Sequence, residues 1–259
     1  MAVPFIIETQ GLCKRYQRFA ALHELDIAVP QGSVFALLGA SGAGKTTAIK
    51  ILLNMISASS GKARVLGVES RALTPAVLAQ IGYVSENQAL PARLRVEEFF
   101  EYLRPCYASW DRTLEGEVRD RLRLPPRRRI GELSHGMRLK MALACALPFR
   151  PKLLVLDEPL SGLDALARDE IIGGFLRQAG EMTIVISSHE LDEVERFATH
   201  VAFLHEGRLL FQGSVTALSE YARPLFVDGG APAARRSLRD IFVAVVRAAT
   251  QNTALRNPT

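Results

Sequence analysis

The densest chemistry in this chain lies in nine consecutive residues, Gly39, Ala40, Ser41, Gly42, Ala43, Gly44, Lys45, Thr46 and Thr47, reading GASGAGKTT. The spacing is G-x-x-x-x-G-K-T. Glycines let such a loop curl until successive backbone N–H groups point at one anion, while Lys45 reaches terminal phosphates and the Thr46 hydroxyl suits Mg²⁺. An apolar run, Val34 to Leu38, precedes the loop, and a helical-looking segment, Ala48 to Met55, follows it. That strand–loop–helix setting aims the positive end of a helix at the same anion. The pattern predicts a cradle for a nucleoside triphosphate with its Mg²⁺.

Further groups fit such a cradle. The apolar run Leu153 to Leu156 ends in Asp157 and Glu158, and carboxyl ends of buried strands are where α/β sheets hold ligands. Alone, this acidic pair reads as solvated loop charge; with a phosphate cradle in the chain, one carboxylate for Mg²⁺ and one for water is the better reading. Ser187, Ser188 and His189 stand at the end of another apolar run, Thr183 to Ile186. Ser134 is an N-cap candidate for the helix RLKMALACAL, and with Gly136 beside it forms a second helix end suited to phosphate. Glu86, Asn87 and Gln88 make a polar loop after Ile81 to Ser85, and Tyr16 follows Lys14 and Arg15. A lone tyrosine is more often packing than ligand binding. His23, His135, His200 and His205 have no metal-binding spacing.

The elements needed to position these groups are readable in outline. Phe5 to Glu8 and the alternation of Leu25, Ile27 and Val29 predict antiparallel strands; Val34 to Leu38, apolar throughout, predicts a central strand buried on both faces. Lys62 to Leu66 and Ile81 to Ser85 read as strands, and Thr74 with Pro75 as a helix start. The block from Val96 to Leu124 is helical in character, with Asp111 capping a second helix, until Pro125 and Pro126 break it. Arg127, Arg128 and Arg129 follow, and with Arg119, Arg121 and Arg123 they read as a solvated basic face or a docking patch. SGLD, Ser161 to Asp164, predicts a turn into a helix over Ala165 to Ala179. Val201 to Leu204 and Arg208 to Phe211 predict a hairpin. From Tyr221 the chain reads as irregular, with Pro224, Gly229, Gly230 and Pro232 marking a linker. A short helix capped by Ser237 and Asp240 follows, and Gln251 to Thr259 reads as frayed. The domain reading is one α/β domain over residues 1–220 with a helical insertion at about 88–148, then a linker and C-terminal amphipathic helix over 221–259.

With 259 residues, 48% of them hydrophobic, the chain can bury a large core and is too apolar for disorder. Its net charge of +5 admits an acidic partner without choosing one. Cys13, Cys106 and Cys145 are widely spaced and odd in number, which argues against a disulfide framework or a zinc site. No apolar run approaches the ~18 residues of a membrane span, so a membrane role requires a partner.

With the cradle, LSHGM, LLVLDEP, SGLD and the strand-end His189 in this order, the chain resembles the ATP-binding subunit of an ABC transporter, over roughly Phe5 to Leu218. The resemblance implies a P-loop cassette with a mostly parallel central sheet, an N-terminal antiparallel subdomain and a helical subdomain. It implies that ATP and Mg²⁺ bind; that Lys45 and the backbone of Gly42 to Gly44 take the phosphates; that Thr46 and Asp157 hold the metal; that Glu158 activates water; and that His189 contacts the γ-phosphate. Tyr16 would stack on adenine. Ser134 and Gly136, the signature positions, would reach ATP held by a second subunit, identical or not, and Asp164 would line the seam between them. A separately encoded integral-membrane permease would be the other partner, which implies a cytoplasmic chain peripheral to the inner face of the cell membrane, with no specific nucleic acid expected.

Three departures from that family stand out. His135 and Met137 replace the usual glycine and glutamine of the signature, Ala165 replaces a common proline, and Glu86 stands where a glutamine is usual, with Gln88 two residues on. Either Glu86 or Gln88 could meet the metal. SENQ, YASWD and LSHGM together are similar to the multidrug, antibiotic or lipid exporter branch. A soluble relative acting on ribosomes or DNA is the alternative, disfavoured because this chain has one cassette and no heptads in the roughly 90 residues between Lys45 and Ser134. A regulatory cassette with little turnover is a third reading, opposed by Glu158 and His189.

Overall fold

The computed structural model describes residues 4–161, 163, 182–226 and 236–256. The chain forms two compact units, one of Met1–Ala72 with Ser187–Thr259, the other of Leu73–Ile186.

The first unit opens with β1 (Phe5–Tyr16), β2 (Phe19–Leu25), β3 (Ala28–Pro30), β4 (Val34–Leu38), α1 (Lys45–Leu52), β5 (Ser60–Val65) and β6 (Val68–Glu69). β1 pairs antiparallel with β2, β3 and β5, and β6 pairs with β5. β1 is eight residues longer than the Phe5 to Glu8 strand read from alternation, and its hairpin partner β2 carries no clean alternation at all. Pairing rather than pattern makes these strands: register shifts along β1 interrupt the period-two signal. β4 matches the run Val34 to Leu38, with Phe35 to Leu38 buried.

The second unit contains α2 (Pro75–Leu78), β7 (Ile81–Ser85), α3 (Val96–Leu103), α4 (Arg112–Arg121), α5 (His135–Ala146) and β8 (Leu153–Asp157), and β9 (Thr183–Ser188) ends at its boundary. β8 runs parallel to β7 and lies between β7 and β9. Pro75 occupies the first turn of α2, where a missing N–H costs nothing. The helices share a core of Val96, Phe100, Leu122, Ile130, Leu133 and Met141. Asp111 caps α4, accepting from the N–H groups of Thr113 at 2.9 Å and Leu114 at 3.0 Å.

Inside this helical layer Glu115 is buried and accepts from Arg104 Nε at 2.8 Å, Arg104 Nη2 at 2.7 Å and Trp110 Nε1 at 2.8 Å. Burial pushes its carboxyl up, but the Arg104 and Trp110 hydrogen bonds outweigh that and hold it below the ordinary value. A carboxyl depressed in the fold stabilises it fully above the unfolded value of about 4.3, and that contribution fades as pH falls through the lower folded value. Glu115→Ala, which leaves Arg104 and Trp110 without this acceptor, is expected to cost about 2 kcal/mol at neutral pH. Urea midpoints measured from pH 6 to 3 should converge with the parent's at the acid end.

The chain then returns to the first unit with α6 (Leu191–Val194), β10 (His200–His205), β11 (Arg208–Ser214), α7 (Val215–Ala222) and α8 (Leu238–Arg256). β10 pairs parallel with β4 and antiparallel with β11 across a turn whose two residues, Glu206 and Gly207, both have positive φ, as twisted hairpins prefer. Ser237 and Asp240 form the expected reciprocal cap of α8. Leu238, Ile241 and Val245 are buried, and Phe242 meets Phe203 edge-on at 5.2 Å. The frayed tail is corrected: α8 continues to Arg256, because Val246 to Arg256 contains neither glycine nor proline to stop it. The helix expected over Ala165 to Ala179, with Asp164, and the linker residues Gly229, Gly230 and Pro232 lie outside the described residues. Among the described residues no helix is long and apolar enough to cross a membrane.

Candidate functional site

The cradle is built by backbone shape. Gly42 and Gly44 have φ of 80° and 103°, which favours residues lacking Cβ. Gly44 is also the N-cap of α1, and a Cβ there would come within 2.7 Å of the Ala21 carbonyl oxygen. α1 therefore starts at Lys45, three residues before the Ala48 boundary read from the sequence. Thr46 and Thr47 thus belong to its first turn. Its N-cap glycine supplies no side-chain cap and no acidic residue lies in its first turn, so the positive end of its dipole suits an anion. The loop is anchored by the Gly207 N–H donating to Ala43 O at 3.0 Å.

Lys45 is only 4% exposed, and its ammonium donates to the carbonyls of Gly39 at 2.7 Å and Ala40 at 3.1 Å. A buried ammonium that close to the loop's own backbone sets a positive charge at the centre of the curl. Ala40, Ser41 and Gly42 are exposed around it.

The Gly39 N–H donates to Ser188 O at 3.3 Å, so the end of β9 is tied to the start of the cradle. His189 follows, its side chain 39% exposed and its Nε2 3.9 Å from Glu190 Oε1. Tyr16 ends β1 at the tip of the β1–β2 hairpin, 44% exposed, with Lys14 Nζ 4.8 Å from its ring centroid. Its register partner Phe19 is 63% exposed. Sequence reasoning passed over Phe19, because only the pairing sets a second aromatic ring beside Tyr16.

In the second unit, Ser85 and Asp157 are register partners at the ends of β7 and β8. Asp157 is buried. Burial pushes the Tyr83 hydroxyl up, a hydrogen bond with Ser85 pulls it down, and the charge of Asp157 adds to the rise. Glu158 has φ 51°, so the chain leaves the strand immediately after Asp157 and gives the two carboxylates different surroundings. Glu86 donates its N–H to Asp157 O at 3.0 Å, and its Oε1 accepts from Ser161 Oγ at 2.8 Å. Gln88 is exposed and folds back, its Oε1 3.4 Å from the Ser85 N–H. Ser161 is a second residue sequence reasoning did not single out as a partner for this loop, since nothing local signals a contact 75 residues away.

Ser134 caps α5 as expected, its Oγ accepting from the Met137 N–H at 3.3 Å. His135 and Gly136 form the first turn, half-buried. Arg127, Arg128 and Arg129 are exposed, and Arg129 bridges to Arg95.

Among the described residues no group of three or more His, Cys, Asp or Glu side chains could hold a metal ion. Hard oxygens such as the Thr46 hydroxyl and the Asp157 carboxylate instead suit Mg²⁺, which takes one or two protein oxygens together with substrate phosphates.

Residues 22–161 match the family described as ABC transporter. The chain belongs to that family. The bacitracin transport ATP-binding protein BcrA of Bacillus licheniformis is 34% identical over 209 residues, covering 79% of this chain and 68% of the relative. The Nod factor export ATP-binding protein I of Rhizobium leguminosarum bv. viciae is also 34% identical, over 224 residues, 84% of this chain and 72% of that one. A solved structure of an ATP-binding subunit of an ABC transporter superposes with a TM-score of 0.79 at 26% identity, covering 93% of this chain and 99% of the other. The resemblance carried by the cradle, LSHGM, LLVLDEP and SGLD is thus family membership, and this ABC cassette is an ATP-binding ATPase. Its fold is the cassette expected from the sequence, with parallel pairings around β4 and β8 and an antiparallel sheet at the N-terminus.

Proposed function

We propose that this ABC cassette is the motor of an exporter: it binds ATP, pairs with a second cassette, and drives a separately encoded permease from the inner face of the cell membrane. The observation that carries the reading is the buried Lys45 at the centre of a glycine-shaped cradle that opens α1. The named relatives transport bacitracin or export Nod factor, which supports export as the direction.

In this reading the backbone of Gly42 to Gly44 and Lys45 bind the phosphates, and Tyr16 stacks on adenine. Thr46 and Asp157 hold Mg²⁺, with Glu86 as a further oxygen donor near Asp157; when bound, the metal neutralises charge on the phosphates. Glu158 orients and deprotonates the attacking water, and His189 contacts the γ-phosphate. Ser134 and Gly136, at the N-terminal end of α5, complete the site of the second cassette.

Purifying the tagged chain from solubilised membranes tests this. It should bring down a polytopic membrane protein with ATPase activity. Recovery with ribosomes or nucleic acid instead would overturn the exporter reading.

A further inference from the structure

The loop after β7 and the turn after β8 are joined by one side-chain hydrogen bond, from Ser161 Oγ to Glu86 Oε1 at 2.8 Å. Main-chain bonds flank it: Glu86 N–H donates to Asp157 O at 3.0 Å, and Ser161 N–H donates to Glu158 O at 3.3 Å. Ser161 therefore holds the turn bearing Glu158 with its backbone and the Glu86 loop with its hydroxyl. Glu158 between them sits at φ 51°, a conformation disfavoured for a residue with a Cβ, which persists only where neighbours impose it. Gln88, the other polar candidate in the loop, turns its amide back onto Ser85, so the link to the turn runs through Glu86.

We propose that Ser161 is a positioning residue for ATP hydrolysis: its bond to Glu86 sets the placement of Glu158, the carboxylate that directs water. The inference rests on the reading of Glu158 as that carboxylate. Ser161 touches neither nucleotide nor metal in this account. It acts by fixing the geometry from which Glu158 works, and small misplacements of such a group lower turnover without weakening substrate binding. What the hydroxyl needs is an oxygen acceptor on residue 86, which glutamic acid supplies and alanine does not.

The test is steady-state ATP hydrolysis, ATP affinity and melting temperature on the full chain for Ser161→Ala, Ser161→Thr, Glu86→Ala and the double alanine variant. Ser161→Ala should lower kcat about 10-fold with ATP affinity within about two-fold and melting temperature nearly unchanged. Ser161→Thr, which keeps the hydroxyl, should restore at least half of the parent rate. The double variant should be no slower than Glu86→Ala alone, because the bond that Ser161 makes is already absent there. Turnover of Ser161→Ala within two-fold of the parent, a loss confined to affinity, or failure of threonine to rescue would each overturn the proposal. A parent protein that does not hydrolyse ATP would overturn the ATPase reading instead, and the two failures are distinguished by the parent's own rate.

Discussion

Glu158→Gln is expected to reduce ATP turnover at least about 100-fold, the scale of a lost general base, while ATP still binds. The amide keeps the size and hydrogen-bonding shape of the carboxylate but cannot take a proton from water. Asp157, buried in β8, is untouched, and the turn at Glu158 keeps its φ of 51° because the Ser161 N–H still reaches the residue 158 carbonyl. Binding and closure should therefore proceed and cleavage should stall. Phosphate release would report the loss, and size-exclusion chromatography with ATP would report accumulation of an ATP-retaining dimer. Turnover at the parent's rate would mean that another group activates water.

Lys45→Ala is expected to weaken ATP binding about 100-fold, and with it all hydrolysis at ordinary ATP concentrations. The ammonium is buried against the Gly39 and Ala40 carbonyls, so its charge is little screened by solvent. A charge-assisted hydrogen bond to phosphate in such a place contributes about 3 kcal/mol, and every 1.4 kcal/mol is tenfold in affinity. Titration calorimetry with ATP measures the loss. A melting curve close to the parent's would show that the cradle, and not the fold, was lost, since glycine conformations rather than Lys45 shape the loop. The two variants separate the steps: Lys45→Ala fails at binding, Glu158→Gln after it.

Much of this was legible residue by residue. A run of apolar residues bounded by turn signals identifies a buried strand whatever surrounds it, so β4, β7 and β8 were read nearly to the residue. Caps are local too: Asp111, Ser134 and Ser237 each bond within three residues, and each was readable from spacing. Where the energy comes from partners distant in sequence, reading failed. β2 and most of β1 exist because they pair, and pairing energy leaves no mark on composition. Glu115 looks like one more surface acid of α4 until Arg104 and Trp110 close around it.

The order of amino acids is enough to set the kind of chemistry, because a phosphate cradle demands particular residue types: glycines where the backbone must turn to positive φ, a lysine for charge, a threonine for an oxygen. It also ordered the accessory groups along the chain closely enough to indicate the family. Packing of the folded chain selects which of Glu86 and Gln88 faces the Asp157 turn, since both sit in one loop and the choice depends on Ser161, 75 residues from Glu86. It also decided that Lys45 is buried and that Phe19 stands beside Tyr16. Residue type and local spacing carry backbone conformation and charge; contacts between segments depend on how the chain closes on itself, which is a property of the packed whole.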